Sequence, residues 1–361
     1  MMHSFVAMGI FGVQRVIIGF ALTFGTLALI PGMLGWSWDF ILLKGVKPSD
    51  LWGDTGVPIY LFAMFQGKFA IITPALIAGA IAERVQFKRY CVFILLWGFL
   101  VYDPLAYLVW NSEGILFKDG AIDFAGGTVV HISAGVAGLV AAIMLGPRKD
   151  YPHSSMKPNN LTMSLTGSSL LWICWFGFNA GSAVSADSSA VQALTVTQSA
   201  AAAGAIGWMV IEMLHHGKAT ALGVVSGIVA GLVAITPAAG SVTPAWSLVF
   251  GAGAAGICYL FVVMKEKLGY DDTLDVFGIH GAGGIFGALL VGFAATDAGG
   301  FAQFLIQFKS VIVAIVLSGV MTALLVWMVE HTVGLRATEE DELAGLDYSQ
   351  HGEVGYGHMN L

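Results

Sequence analysis

Long apolar stretches dominate this chain, and short polar connections divide them. A helix that crosses the hydrocarbon of a bilayer needs about 20 apolar residues. Ten stretches meet that length: 4–24, 57–82, 90–110, 124–146, 161–184, 192–214, 219–236, 246–264, 275–296 and 305–332. The pattern predicts an all-α, polytopic membrane helix bundle over residues 1–333. The longest connection, 25–56, holds Pro31, Gly32, Gly45 and Pro48 and reads as an irregular external loop. The tail 334–361 is the only long polar segment, and no soluble domain or coiled coil is visible.

Composition agrees with a lipid-facing surface. The chain has 361 residues, 57% hydrophobic and 11% charged, with a mean hydropathy of +0.80. Soluble domains carry about 25% charged residues, so this chain cannot cover itself with charge. Its 47 glycines cluster in runs such as "AGVAGLVAA" and "GIVAGLVA", which let membrane helices approach closely. Cys91, Cys174 and Cys258 lie in separate apolar segments, form no metal-ligand spacing, and are expected to be packed thiols. The net charge is −7, of which the tail supplies −5 (six acids against Arg336). A nearly neutral membrane body excludes nucleic acid as a partner. Lysine and arginine fix orientation. Arg84, Lys88, Arg89, Arg148, Lys149, Lys157, Lys218, Lys265, Lys267 and Arg336 fall on one side, against Lys44, Lys47, Lys118 and Lys309 on the other. That asymmetry places the tail in the cytoplasm.

The chain also repeats itself. "HISAGVAGLV" begins at His131 and "HGAGGIFGAL" at His280, and each follows an aspartate at its helix start, Asp123 and Asp275. The loop charges run the two helices in opposite directions. That is an inverted-topology repeat, about 4–146 and about 161–296, followed by a last helix at 305–332. Transporters of this build carry their site at the repeat interface near the midplane. At 1.5 Å per residue His131 lies roughly 12 Å along its helix, and His280 roughly 8 Å from Asp275. An ionisable side chain at that depth is costly and usually lines a polar pathway; the alternative is a purely structural hydrogen bond across a helix interface. Phe65, Phe69, Trp110, Trp175, Phe178 and Ser182 form an aromatic group able to attract a cation. Spacing alone does not select that reading, because core packing accounts for the phenylalanines and a membrane-interface belt for Trp110.

Taken in order, "QGKFAIITPALIAGAIAERVQF", "PLAYLVW", "DFAGGTVVHISAGVAGLV", "WFGFNAGSA", "VSGIVAGLVAITPAAG", "DDTLDVFGIHGAGGIFG" and "TVGLRATEEDELAGLDYSQHGEVGY" resemble the ammonium transporter family (Amt/Mep/Rhesus) over nearly the whole chain. Trp110 favours the Amt branch. The resemblance implies two inverted repeats around a central pore, with His131 and His280 as twin pore histidines. It also implies Phe69 and Phe178 as a stacked gate. Trp110, Phe69 and Ser182 become the outer ammonium site, with Asp123 beside it. Asp123 has two readings of its own, a helix cap and a buried anion that stabilises a cation.

The same resemblance implies a homotrimer in the plasma (cell inner) membrane, with PII-type signalling proteins acting on the cytoplasmic face. The implied scheme captures ammonium on aromatic faces, deprotonates it, passes ammonia through an apolar pore and returns the proton along the histidines. Carrying the intact ion would be far more costly. No cofactor, metal or catalytic residue is expected. An intramembrane enzyme is disfavoured, because no third metal ligand or nucleophile accompanies the histidines in a recognisable motif. The other alternative is an ammonium sensor that binds without conducting.

Three positions depart from the family pattern: Arg15 in mid-helix, Lys68 beside Phe69, and Thr26 where a glutamate is usual. A lysine pointing into the vestibule would repel ammonium, although adjacent helical residues diverge by about 100° and Lys68 can face away. The family usually has eleven spans. The first half, up to His131, holds four spans and the second half, up to His280, holds five, so ten helices are expected, the second half holding an unpaired one and the family's first helix absent.

Overall fold

The computed structural model describes residues 1–149, 151–153 and 157–356. Among them stand ten apolar helices, numbered here as spans in chain order: Met2–Phe24, Ile59–Ala80, Phe87–Lys118, Gly127–Leu145, Leu161–Gly181, Ser188–His216, Ala221–Ile235, Pro244–Leu268, Phe277–Ala294 and Phe301–Thr332. Nine are long and apolar enough to cross a membrane, and Ala221–Ile235 is shorter. All ten expected spans are therefore present. The third span breaks after Trp110 and resumes as a short turn of helix at Ile115–Lys118. The long loop is less irregular than expected. It folds an antiparallel hairpin, Leu27–Ile30 against Leu34–Trp36.

The connections sort into two opposite faces. On one, the tail bridges Val85 through Arg336, and Arg84 and Arg148 both bind Asp271. On the other, Lys309 pairs with Asp119, near the hairpin end. The fourth span thus leaves the hairpin face and reaches Arg148 and Asp271, while the ninth starts beside Asp271. The two histidine helices run in opposite directions, as the repeat requires. Two large buried apolar clusters fill the bundle, beside a smaller one around Phe20, Phe24 and Phe62. One is built mainly by the first four spans and the tenth, and the other by spans six to nine with Trp175.

Where the histidine helices cross, the repeated motif shows its purpose. A Cβ at Gly135 would collide with the backbone nitrogen and Cα of Gly281, and one at its counterpart Gly284 would lie 3.1 Å from the Gly127 carbonyl oxygen. Only glycine permits this approach. Both histidines lie within π-helical turns, Gly127–Ile132 and Phe277–Gly281. Two further π-helical turns occur at Arg15–Gly19 and Gly98–Tyr102. Such turns widen the backbone locally and concentrate at functional positions.

Lys68 is exposed on the outer face of its span, whereas Phe69 is buried, so the two diverge as the helical turn dictates. Cys258 is buried and Cys91 half-buried, but Cys174 is exposed and is not a packed thiol. The fifth span, which carries Cys174, buries only Ser168, Trp175 and Asn179. Arg15 is 1% exposed and pairs with Asp103 of the third span at 3.0 Å. Thr26 is exposed at the hairpin face, beside Glu113 and Lys118.

Candidate functional site

The site is built from the starts of the two histidine helices. Asp123 precedes Gly126, whose φ of +102° reverses the chain so that the first free backbone donors turn back. Asp123 Oδ2 accepts from the N–H groups of Thr128 (3.1 Å) and Val129 (3.0 Å). Asp123 is therefore a helix cap. Its Oδ1 is buried with no protein partner among the described residues.

The second helix repeats this arrangement, but on a different residue from the one expected. Asp272, not Asp275, accepts from Val276 N–H (3.0 Å) and Phe277 N–H (2.7 Å). Asp272 lies eight residues before His280, the separation of Asp123 from His131. Asp275 takes the place of Gly126, with a φ of +57°, and its carboxylate pairs with Lys265 at 2.6 Å. Two aspartates three residues apart read alike in a sequence. The left-handed turn between them decides which one the free N–H groups reach.

His131 and His280 meet at the crossing. Their Nδ1 atoms are 3.1 Å apart, and the rings lie 5.1 Å between centroids at 22°. Trp175 stacks on the other side of His131, 5.2 Å away at 20°, and its indole N–H donates to Thr236 Oγ1 at 2.9 Å. One imidazole nitrogen must donate and the other accept in the neutral pair, so one proton is shared across the contact. The sequence places Trp175 only in the aromatic group. Only the fold shows that it braces the histidine.

Towards the hairpin face, Phe69 is the hub of an aromatic group. Its ring lies edge-on to Phe178 (4.9 Å), Phe65 (5.1 Å) and Trp110 (5.4 Å). Trp110 is half-buried and its indole N–H donates to the Asp123 backbone carbonyl at 2.9 Å. That N–H is thus committed to the protein, and the ring faces remain for a ligand. Ser182 closes the fifth span, its hydroxyl donating to the Phe178 carbonyl at 2.8 Å, and its neighbour Gly181 lies against Phe65. Below this group a cavity of about 50 Å³ is lined by Phe69, Ile72, His131, Cys174, Trp175 and Phe178. Its walls are apolar apart from the imidazole. It is wide enough for one small uncharged molecule, since a water occupies about 30 Å³.

Residues 1–356 match the model of a family described as the Ammonium Transporter Family. An ammonium transporter of Aquifex aeolicus is 47% identical over 98% of this chain and 84% of its own length. One of Bacillus subtilis is 46% identical over 98% and 89%. The crystal structure of Saccharomyces cerevisiae Mep2 superposes with a TM-score of 0.86 at 34% identity, over 93% of this chain and 80% of that one. A protein described as a sensor Amt protein superposes with a TM-score of 0.87 at 28% identity, over 97% and 89%.

Proposed function

This chain belongs to the ammonium transporter family, and on that premise we propose that it carries ammonium across a membrane as ammonia and a separately relayed proton. The observation that carries the reading is the 3.1 Å contact between His131 and His280 beneath an aromatic group. Capture belongs to the hairpin face. Aromatic ring faces attract a cation, most strongly when water is excluded, and Phe69 and Trp110 supply them, with Ser182 and the Asp123 carboxyl as polar neighbours. Moving the intact ion past Phe69 and Phe178 would strip its hydration without replacement. Ammonia passes far more readily. The Phe69–Phe178 pair is then a gate that rejects hydrated cations, and the cavity below it holds the neutral molecule. The proton left behind moves along the two imidazoles, which titrate as one unit.

The same reading covers the assembly. The chain forms a homotrimer in the plasma membrane, with the tail and the arginine-rich loops in the cytoplasm, where a PII-type protein would dock. The transmembrane domain is residues 1–333 and the tail 334–361, of which the last five lie outside the described residues.

Purified protein in oriented liposomes tests this. An ammonium gradient should drive inward charge movement, and His131→Ala should abolish the charge while leaving the protein folded. Similarity to a sensor gives the second reading. Ammonium binding without current or uptake, together with a change in protease protection of the tail, would favour a sensor and sink transport.

A further inference from the structure

A buried ion pair lies behind the aromatic site, not in it. Arg15 and Asp103 are each 1% exposed. Arg15 Nη1 donates to Asp103 Oδ1 (3.0 Å), to Thr23 Oγ1 (2.8 Å) and to the Gly19 carbonyl (3.0 Å). Gln14 Nε2 donates to Asp103 Oδ2 at 2.7 Å. The pair joins two of the π-helical turns, since Arg15 opens the first and Asp103 directly follows the second. A buried ion pair of this kind is weak evidence for stability, because desolvation offsets most of the attraction. Its retention asks for another reason.

The position of the guanidinium supplies one. The aliphatic stem of Arg15 faces Gly67 of the second span, where a Cβ would lie 3.9 Å from Arg15 Cγ. Phe65 and Phe69 lie two residues to either side of Gly67, about 200° around that helix, so their rings project from the opposite flank. The guanidinium is also 5.9 Å from the Phe24 ring, and Phe24 belongs to the apolar cluster that Trp110 packs against. A fixed positive charge therefore stands about one helix diameter, roughly 10–12 Å, from the place where a cation would be captured. At an effective dielectric of about 20, an uncompensated charge at that distance weakens cation capture about tenfold.

We propose that Asp103 is the internal counter-charge of Arg15, and that it is required for cation capture because it cancels the guanidinium's repulsion of ammonium at the Phe69–Trp110 site. This rests on the aromatic-site reading above. Asp103 is the guanidinium's one ion-pair partner among the described residues, so the balance of charge on this part of the vestibule wall depends on it.

Methylammonium uptake in liposomes, measured against concentration, tests the proposal. Asp103→Asn should raise the half-saturating concentration about tenfold and change the maximal rate by less than twofold. The double substitution Arg15→Met/Asp103→Asn removes both charges and should return half-saturation to within twofold of the unaltered chain. Gln14→Met breaks a hydrogen bond to Asp103 without altering charge and should leave capture unchanged. Unchanged capture in Asp103→Asn would overturn the proposal. So would a double variant impaired in capture, or a Gln14→Met variant that weakens it, because each would make geometry rather than charge the cause. If little Asp103→Asn reaches the membrane, the neutral double variant still decides. Impaired capture there refutes the counter-charge, and so does normal capture in the double variant if the single substitution Asp103→Asn, assayed in whatever fraction reaches the membrane, is also normal. Trp110→Leu serves as the control. If it leaves capture intact, the aromatic-site reading fails; if it weakens capture while Asp103→Asn does not, only the counter-charge fails.

Discussion

Asp123 and Asp272 do the same work on opposite sides of the molecule. Each places one carboxylate over the free backbone donors of a histidine helix. Replacing a capping aspartate by alanine costs roughly 1 kcal/mol, up to about 2. Asp272→Ala should therefore lower thermal stability in detergent by about that amount. Asp275→Asn, which frees the partly exposed Lys265 while keeping a residue that tolerates the left-handed turn, should lower it by less. Equal losses would contradict the assignment of the cap. Trp110 makes a different kind of contribution. Its N–H is held by the Asp123 carbonyl, so only its faces are available to a cation. Trp110→Leu should raise the half-saturating ammonium concentration severalfold and leave folding intact. An unchanged concentration dependence of uptake would return Trp110 to a membrane-interface role. The sequence carried Trp110, Phe69, Phe178 and both histidines in recognisable motifs. It could not show the bond that orients Trp110, because the partner is a backbone carbonyl and has no side-chain signature.

Between elements, the contacts that matter are helix crossings and loop ties. The crossing at Gly135 and Gly281 admits no Cβ, because the obstructing atoms belong to backbone. Gly135→Ala should push the histidine helices apart and separate the two Nδ1 atoms. The expected outcome is loss of ammonium-driven charge movement with reduced thermal stability, read on the same purified sample. On the tail face, Asp271 ties three loops through Arg84 and Arg148. Burial pushes its carboxyl upwards, but the hydrogen bonds from Arg148 and the charges of Arg84 and Arg148 outweigh burial and hold it below the usual carboxylate range. A lowered folded-state value means that this tie is fully formed above the unfolded value of about pH 4. It is lost as pH falls further and Asp271 takes up its proton. Hydrogen exchange in the loops at 81–86 and 269–276 should therefore stay flat from neutral pH to about pH 4, after correction for intrinsic rates. Below that, protection should fall in the unaltered chain and be low throughout in Asp271→Asn. Flat protection in both would refute the tie.

For the whole molecule, the tail is part of the bundle rather than an appendage. Arg336 binds the Leu145 and Pro147 carbonyls, Gln350 caps the start of the third span at Phe87, and Tyr356 accepts from Asn160 at the start of the fifth. Removing residues 337–361 should lower the melting temperature and alter uptake. A truncated protein with unchanged melting and transport would make the tail dispensable. The sequence by itself determined the ten spans, the opposed histidine helices and the lipid-facing surface. Those features follow from local composition, since a bilayer demands long apolar runs and a helix carries its residues at fixed rise. It also showed Arg15 and Lys68 as charges inside apolar spans. Only the tertiary structure decided their fates. Lys68 turns outwards, and Arg15 meets Asp103, a residue 88 positions away. Such a pairing depends on the rotation of two helices about their own axes, and packing against other spans fixes that rotation. The choice of Asp272 over Asp275 was decided in the same way, by a left-handed turn that no hydrophobic period records.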